Sequence, residues 1–180
     1  MTTTNGSLLS LDKASFINAL KDIYEHSEWV AEGVFEQRNA LASSSLPLHD
    51  AVRDAMQALV DQADHERKLA LLCAHPDLAG KAALAGELTH ASTSEQAGAG
   101  LDQCSPDELA TFTELNNTYR SKFGFPFIMA VKGATKEQIL AGFKERVPND
   151  RDTEFDRALK EVHKIAGFRL GDFPAEFWQR

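Results

Sequence analysis

The chain has 180 residues, of which 43% are hydrophobic and 26% are charged, so its composition is that of a globular protein rather than a disordered or fibrous one. This length corresponds to about one domain. Apart from the serine triplet at residues 43–45 there is no low-complexity tract, and no repeat or shift in composition marks a boundary. We therefore predict a single domain over residues 1–180, in which residues 1–9 form a polar N-terminal tail.

The balance of charge excludes several classes of partner. Nineteen Lys and Arg residues against 27 Asp and Glu residues give a formal net charge of −8. Affinity for nucleic acid comes from neutralising phosphates with Lys and Arg, so this balance argues against a nucleic-acid partner and equally against an anionic membrane surface. No apolar run approaches the roughly 20 residues that span a bilayer, and the first residues lack the pattern of a secretory signal. We expect a cytoplasmic protein that binds neither nucleic acid nor membrane.

Apolar residues at three- and four-residue steps predict two helices in the first part of the chain. One carries residues 11–24 and can be capped by Ser10 or Asp12. The other runs from about residue 28 to residue 40. The serines and the proline of residues 43–47 then interrupt the periodicity.

Further helix patterns follow along the chain. An apolar stripe over residues 52–72 predicts one long helical stretch that stops at Pro76. Residues 105–108, Ser-Pro-Asp-Glu, place a cap, a first-turn proline and a reciprocating glutamate in the order that a helix start requires. A similar spacing at residues 135–138 opens another helix, and residues 155–166 carry the apolar stripe of the last one.

One segment reads as extended rather than helical. Residues 125–131, Phe-Pro-Phe-Ile-Met-Ala-Val, are bounded by Gly124 and Gly133. The segment is too short and isolated to found a sheet. We therefore predict an all-α fold: a compact multi-helix domain with one short extended segment.

His75 is the first of three candidate functional residues. Because the residue before a proline is pushed out of the α region, we expect His75 to lie extended, just past the end of the preceding helix. A helix C-terminus favours the imidazolium, which makes His75 a plausible proton donor near neutral pH. The alternative is a histidine that caps the last carbonyls of its helix.

Residues 92–96, Ser-Thr-Ser-Glu-Gln, are the second candidate. Ser92 and Glu95 have capping-box spacing, which predicts a helix start at Ser92. The alternative is functional, since a carboxylate at a helix N-terminus stays ionised and the N–H groups there can bind a polar ligand. The glycines at positions 98 and 100 allow a close approach of the backbone but do not form a dinucleotide-binding motif.

Arg169 has the most informative position in the chain. It continues the apolar stripe of the last helix, four residues after Ile165 and seven after Val162. An arginine on the inward face needs a partner, because a buried unpaired guanidinium is costly. A structural Asp or Glu is the commoner partner, whereas a ligand carboxylate or ureido oxygen would suit its planar fork equally well.

Metal and thiol chemistry find little support in the residue spacing. Cys73 and Cys104 are the only cysteines and form no CxxC pair, so we predict neither a disulfide framework nor a thiolate metal site. The sequence Glu-His-Ser at residues 25–27 and the pair His65-Glu66 lack the His-x₃-His or HExxH spacing of a zinc site. We predict that the protein binds no metal.

Several ordered motifs together resemble a known family. They are residues 74–80, Ala-His-Pro-Asp-Leu-Ala-Gly; residues 88–102 with Ser-Glu-Gln at 94–96; residues 115–128, Leu-Asn-x-x-Tyr-x-x-Lys-Phe-Gly-Phe-Pro-Phe-Ile; and the closing residues 158–170. Glu-His-Ser-x-Trp at residues 25–29 also fits. From about Leu11 to Leu170, the chain resembles the 2-oxo-4-hydroxy-4-carboxy-5-ureidoimidazoline (OHCU) decarboxylases, which perform the last step from urate to (S)-allantoin.

The resemblance implies a cofactor-free, all-α enzyme, usually a homodimer, whose partner is a small ureidoimidazoline carboxylate. It implies that His75 and Glu95 are catalytic and that Arg169 binds substrate. The other ligand-contacting residues that it implies are Pro76, Ser92, Thr93, Ser94, Glu95, Gln96, Phe127, Ile128, Met129, Ala130 and Val131.

The chemistry of that substrate is consistent with a site that lacks a cofactor. The carboxylate and a hydroxyl lie on C4 beside a C=N bond at C5, so the electrons released with CO₂ flow into that bond without pyridoxal, thiamine or a metal. We expect His75 to protonate C5. Glu95 could accept the proton of the C4 hydroxyl or orient the imidazole, and the sequence leaves open which residue moves which proton.

Two other functions stay open at this point. A non-catalytic helical module would use Arg169 to bind a small anion or a partner helix. A metal-dependent ring hydrolase would use His and Asp residues. Formation of chiral allantoin separates the first from a decarboxylase, and metal analysis separates the second.

Overall fold

The computed structural model describes residues 6–80 and 86–180, and these residues form α-helices and short 3₁₀-helices with no β-strand. The predicted all-α class is confirmed. The helices divide into two compact units. The terminal unit comprises the described residues up to Leu71 together with Ile165–Arg180, and the central unit comprises those of Leu72–Lys164. A single domain over residues 1–180 stays a prediction.

Among its described residues, the terminal unit contains four complete α-helices, the greater part of a fifth and the end of the last helix, at residues 165–171. The first five are α1 Lys13–Leu20, α2 Glu28–Glu36, α3 Arg38–Ser43, α4 Leu48–Gln62 and α5 His65–Ala74. Helix α2 packs against α1, where the rings of Phe16 and Phe35 meet edge to face at 5.2 Å, and against α4. A Cβ atom at Gly33 would lie only 2.8 Å from Leu59 Cδ1, so glycine permits the close approach of α2 and α4.

The bounds of the first helices correct two predictions. Helix α1 is capped by Asp12, whose carboxylate accepts the Ser15 N–H, but it ends at Leu20 rather than near residue 24. The helix predicted over residues 28–40 breaks at Gln37, whose N–H turns back to Val34 O at 3.0 Å. The reason is that a stripe of apolar residues can continue across a break in the backbone, so periodicity alone does not fix helix ends.

The long helix predicted over residues 52–72 is also wrong, because α4 and α5 are separate. Ala63 is extended, and the Asp64 carboxylate accepts the Arg67 N–H at 2.7 Å, as an N-cap does. Asp64 thus starts a new helix within the apolar stripe. The predicted stop before Pro76 is confirmed, since α5 ends at Ala74.

The two ends of the terminal unit are both anchored. Residues 1–5 of the predicted polar tail lie outside the described residues, whereas Leu8 is fully buried in a 3₁₀-helix, Leu8–Ser10. Ser7 Oγ donates a hydrogen bond to Gln179 O. In the C-terminal 3₁₀-helix, Ala175–Trp178, the indole of Trp178 contacts the His49 ring edge-on at 5.1 Å.

The central unit contains α6 His90–Gly98, α7 Pro106–Phe123, α8 Lys136–Arg146 and most of α9 Arg151–Gly171. The capping boxes predicted at residues 105–108 and 135–138 are both present, and α7 ends at Gly124, which has a φ of +81°. The core of this unit is aromatic. Its rings belong to Phe112, Tyr119, Phe123, Phe125, Phe127, Phe143 and Phe155.

Candidate active site

His75 begins the loop of residues 75–80, named here the His75 loop, which follows α5 in the central unit. The histidine is only 6% exposed, and its backbone N–H donates a hydrogen bond to Leu72 O at 3.2 Å. It therefore lies past the last residue of a helix and beside a helix C-terminus, as the sequence predicts. A helix C-terminus stabilises a positive charge placed close to it.

The His75 loop has an unusual backbone. Ala79 adopts a φ of +50°, which non-glycine residues rarely do. The following Gly80 approaches so closely that a Cβ there would lie 2.6 Å from Asp77 Cβ. A loop with this shape is held by its surroundings rather than by its own conformational preference.

Helix α6 carries the second predicted group, but it does not start where the sequence suggests. Its N-cap is Thr89, whose hydroxyl accepts the Ser92 N–H at 3.3 Å, and its first residue is His90. The predicted capping box between Ser92 and Glu95 is therefore wrong. A threonine three residues before Ser92 takes the capping position, so Glu95 falls in the second turn of the helix.

The five predicted ligand residues on α6 differ in their exposure to solvent. Ser92 and Gln96 are buried, Glu95 is partly exposed, and Thr93 and Ser94 are exposed. Positions 92, 95 and 96 are three and four residues apart and therefore share one face of the helix. Glu95 thus has a buried serine and a buried glutamine as its neighbours on that face.

Gln96 ties α6 to the His75 loop. Its Oε1 accepts the Ala79 N–H at 2.9 Å, and its Nε2 donates to Asp77 O at 3.3 Å. Both ends of the amide are therefore bound to the loop. Because Glu95 precedes Gln96, the elements that carry His75 and Glu95 are joined by direct hydrogen bonds.

Residues 127–131 form an irregular segment that is fixed at two peptide groups. Arg146 donates from Nη1 to Ile128 O at 2.6 Å, and the Ala130 N–H donates to Glu161 Oε2 at 3.0 Å. The Phe127 ring stacks on Phe143 at 3.8 Å. Side chains from α8 and α9 thus hold the segment in the absence of regular secondary structure.

Glu161 holds this segment as an ionised group. Burial raises the pKa of its carboxyl, but the hydrogen bond from Ala130 N–H and the ammonium of Lys164, 2.7 Å away, outweigh burial and leave the pKa below its ordinary value. The Arg157 guanidinium, 3.3 Å away, acts in the same direction.

Sequence reasoning missed a buried network in the central unit. Arg146 and Glu154, which are 3% and 0% exposed, form an ion pair at 3.0 Å, and the Tyr119 hydroxyl donates to the same carboxylate. Burial raises the pKa of the Tyr119 hydroxyl, which therefore remains a donor. The argument applied to Arg169 would have found Arg146, which lies three residues after Phe143 and seven after Ile139 on the buried face of α8.

Arg169 lies on α9 within the terminal unit and is 7% exposed, so its predicted inward position is confirmed. Its Nη1 lies 2.8 Å from Glu25 Oε2 and donates to Asp22 O at 2.9 Å. Glu25 is itself 1% exposed. Arg169 therefore has a protein carboxylate as partner, the commoner of the two alternatives considered from the sequence, and a role in binding substrate stays a prediction.

A cavity of about 320 Å³ borders α6 in the central unit. Thr93 and Gln96 line it, together with Ala79 and Leu101. The described residues around it include neither His75 nor Glu95. The volume of the cavity fits a small molecule, but the described residues that line it do not include the two predicted catalytic residues.

Two structural findings concern metal and membrane sites. Within residues 6–80 and 86–180, no group of three or more His, Cys, Asp or Glu side chains could hold a metal ion. No helix in this part of the chain is both long enough and apolar enough to cross a membrane.

Comparison with known proteins defines the class. The family model described as OHCU decarboxylase matches residues 9–171. The chain is 46% identical over 162 residues to the 2-oxo-4-hydroxy-4-carboxy-5-ureidoimidazoline decarboxylase of Haloferax volcanii, covering 90% of each protein. It is 38% identical over 173 residues to the uric acid degradation bifunctional protein PucL of Bacillus subtilis, covering 96% of this chain and 33% of that protein.

Solved structures agree with the sequence comparison. A crystal structure of (S)-allantoin synthase matches with a TM-score of 0.71 at 39% identity, over 91% of this chain and 51% of that one. A crystal structure of OHCU decarboxylase in the presence of (S)-allantoin matches with a TM-score of 0.58 at 26% identity, over 76% of this chain and 88% of that one. The protein is an all-α member of a family whose relatives include a named decarboxylase and a uric acid degradation protein. It belongs to the OHCU decarboxylase family.

Proposed function

We propose that the protein decarboxylates OHCU to (S)-allantoin in urate catabolism. Family membership across residues 9–171 supports this reaction. The structural observation that carries it is the junction between the His75 loop and α6, where Gln96 joins the element bearing His75 to the element bearing Glu95. The candidate acid and the candidate base thus lie on two elements that are joined by the hydrogen bonds of Gln96.

The reaction needs an electron sink, a proton for carbon and a base for a hydroxyl. The bond from C4 to the carboxylate breaks, CO₂ leaves, and the electron pair forms a C4=C5 bond as the C5=N pair moves to the ring nitrogen, which takes a proton. The C4 hydroxyl then loses its proton to give a carbonyl, and C5 gains a proton on one face. One proton is consumed overall for each carboxylate lost.

His75 is the group that we assign to the protonation of C5. Its position at the C-terminus of α5 favours the imidazolium, and its burial places the acid away from bulk water. Glu95 either accepts the proton of the C4 hydroxyl or orients the imidazole. Delivery of the proton from one fixed side would make the product a single enantiomer.

The remaining residues of the proposed site bind the substrate. Peptide groups of residues 127–131 and the α6 face with Ser92 would fix the ring, next to Pro76. Arg169 would bind the carboxylate or ureido group, since a planar guanidinium matches two oxygens at once. Its ion pair with Glu25 fixes the orientation of that guanidinium.

Finer properties are part of the same proposal. The reaction proceeds without a metal or an organic cofactor, because the substrate carries its own electron sink, and full activity should survive exhaustive chelation. The enzyme is cytoplasmic and acts as a homodimer on a small molecule, without nucleic acid or membrane. The net charge of −8 supports the exclusion of these polyanionic partners.

The experiment that tests the function supplies the purified protein with the unstable substrate derived from hydroxyisourate and follows circular dichroism at allantoin wavelengths. A decarboxylase produces a chiral signal at a rate proportional to enzyme concentration. A helical module that only binds a small anion or a partner helix leaves the spontaneous, racemic decay unchanged, and this result would reject the proposal. A stoichiometric metal whose removal stops turnover would favour a hydrolase.

A further inference from the structure

The His75 loop is fixed by side-chain amides at three successive residues. Gln96 accepts the Ala79 N–H at 2.9 Å and donates to Asp77 O at 3.3 Å. Asn116, from the middle of α7, donates from Nδ2 to Leu78 O at 2.9 Å. Two helices thus share the task of holding one short loop.

Arg120 adds a contact to a side chain of the same loop. Its Nε and Nη2 both donate to Asp77 Oδ1, at 3.1 and 2.9 Å. Arg120 lies four residues after Asn116 and therefore on the same face of α7. One face of this helix accordingly carries both contacts to the loop.

The buried amide of Asn116 carries an energetic cost, because one of its polar atoms has no hydrogen-bond partner among the described residues. It is 4% exposed, and its Oδ1 accepts no hydrogen bond from any described residue. A buried acceptor without a donor destabilises a fold, and such a group in a native protein calls for a reason other than stability. The bond to Leu78 O supplies one, because it holds a loop in which Ala79 has a positive φ.

The chain between these contacts and His75 is short and stiff. Only Pro76 separates His75 from Asp77, and its ring fixes the φ angle of that residue. Few free backbone torsions therefore lie between Asp77 and His75 to absorb a displacement of Asp77.

We propose that Asn116 and Arg120 are positioning residues, which act through the His75 loop to set the place of the His75 imidazole. This inference rests on the proposed function, in which His75 is the proton donor. Neither side chain belongs to the proposed set of substrate-binding residues. A misplacement of about 1 Å in a catalytic group can cost roughly 10²-fold in rate, so a change in either residue should be visible in turnover.

The test uses four variants of the full chain. Asn116→Leu keeps the size of the side chain but removes the donor to Leu78 O, and Arg120→Ala removes both donors to Asp77. Arg120→Lys keeps the charge with a single point donor. Lys136→Ala is the matched control, because it breaks an ion pair of similar length, Lys136 to Glu108 at 2.8 Å, that does not involve the loop.

We expect Asn116→Leu to lower kcat about tenfold to a hundredfold with little change in KM, and Arg120→Ala to lower it less. Arg120→Lys should recover part of the loss, and Lys136→Ala should match wild type. The NMR resonance of the His75 imidazole is assigned by comparison with His75→Gln. It should shift in Asn116→Leu and Arg120→Ala, the two loop variants, and stay unchanged in the control Lys136→Ala. This readout does not depend on turnover.

Two results would overturn the inference. One is wild-type kcat in both loop variants. The other is a loss of kcat that merely follows the loss of folded protein, with an unmoved His75 resonance. Either leaves the proposed function intact, since wild-type turnover tests that function separately. Absence of turnover in the wild type together with a moved resonance would reject the function but keep the structural role of Asn116 and Arg120.

Discussion

The guanidinium of Arg169 and the carboxylate of Glu25 lie 2.8 Å apart, with 6% and 1% of their side chains exposed. A second contact, from Nη1 to the carbonyl of Asp22 at 2.9 Å, holds the same group. In a buried pair of this kind, removal of one partner leaves an uncompensated charge and destabilises the fold strongly. The guanidinium of Arg169 therefore stabilises the fold in the ligand-free protein.

Arg169→Lys should lower the melting temperature of the ligand-free protein, because an ammonium cannot reproduce the contacts of the guanidinium to both carboxylate and carbonyl. If Arg169 also binds substrate, the rise in melting temperature on adding allantoin should be smaller than in wild type. Thermal shifts of both proteins, with and without allantoin, measure the two effects separately. An undiminished ligand shift in Arg169→Lys would leave only the structural role.

Glu25→Gln serves as the partner variant. It should reduce the free energy of unfolding by about 3–5 kcal/mol, because the buried guanidinium loses its counter-charge. Denaturant unfolding at neutral pH checks this. A change of less than about 1 kcal/mol, typical of exposed pairs, would show that the pair contributes little.

His75→Gln should lower kcat by about 10²–10⁴-fold while the fold stays intact, since this is the range that a positioned general acid contributes. His90→Gln, at the exposed start of α6 in the same unit, is the matched control and should be fully active. Circular dichroism for folding and stereospecific allantoin formation for rate are the two measurements. A folded His75→Gln enzyme with more than about a tenth of wild-type rate would remove His75 from the donor role.

Glu95→Gln should leave the melting temperature near that of wild type and lower turnover. Because Thr89 rather than Ser92 caps α6, Glu95 does not cap the helix, and glutamine keeps the size of its side chain while it removes the negative charge. Glu114→Gln, on the exposed face of α7, controls for the loss of one surface charge. Full activity in Glu95→Gln would exclude the carboxylate from proton transfer.

Glu161→Ala should raise KM, because Ala130 N–H loses its acceptor and residues 127–131 lose one of their two anchors. Glu161→Gln keeps an acceptor oxygen and should restore KM. The double variant Arg157→Ala with Lys164→Ala removes the ion pairs but not the bond to Ala130, and should leave KM unchanged. If the double variant instead raised KM as much as Glu161→Ala, the charges and not the segment would be responsible.

The pH dependence of stability follows from the same residue. The pKa of Glu161 in the folded protein lies below its ordinary value. The ionised carboxylate therefore stabilises the fold fully at pH values above the pKa of the unfolded chain, and this stabilisation is lost as the pH falls through the pKa of the folded protein. Glu161→Gln should therefore lose less stability on acidification than wild type. Melting temperatures between pH 7 and about pH 3 measure the difference, and parallel curves would contradict it.

Some features could be predicted because a few neighbouring residues encode them. Capping boxes at residues 105–108 and 135–138, the stop of α5 before Pro76 and the turn at Gly124 all depend on side chains and backbone within one turn. Where two local patterns competed, the prediction was wrong. Thr89 rather than Ser92 caps α6, and Asp64 starts a new helix within an apolar stripe that continues on either side.

The sequence by itself determined the all-α class, the starts of α1, α2, α7 and α8 and the inward position of Arg169, because periodicity and capping act between residues a few positions apart. Only the tertiary structure decided that Glu25 is the partner of Arg169 and that Gln96, Asn116 and Arg120 hold the His75 loop. These contacts join residues distant in the chain. The cost of burying a charge or an amide dictates that each finds a partner, but packing of the helices chooses which one.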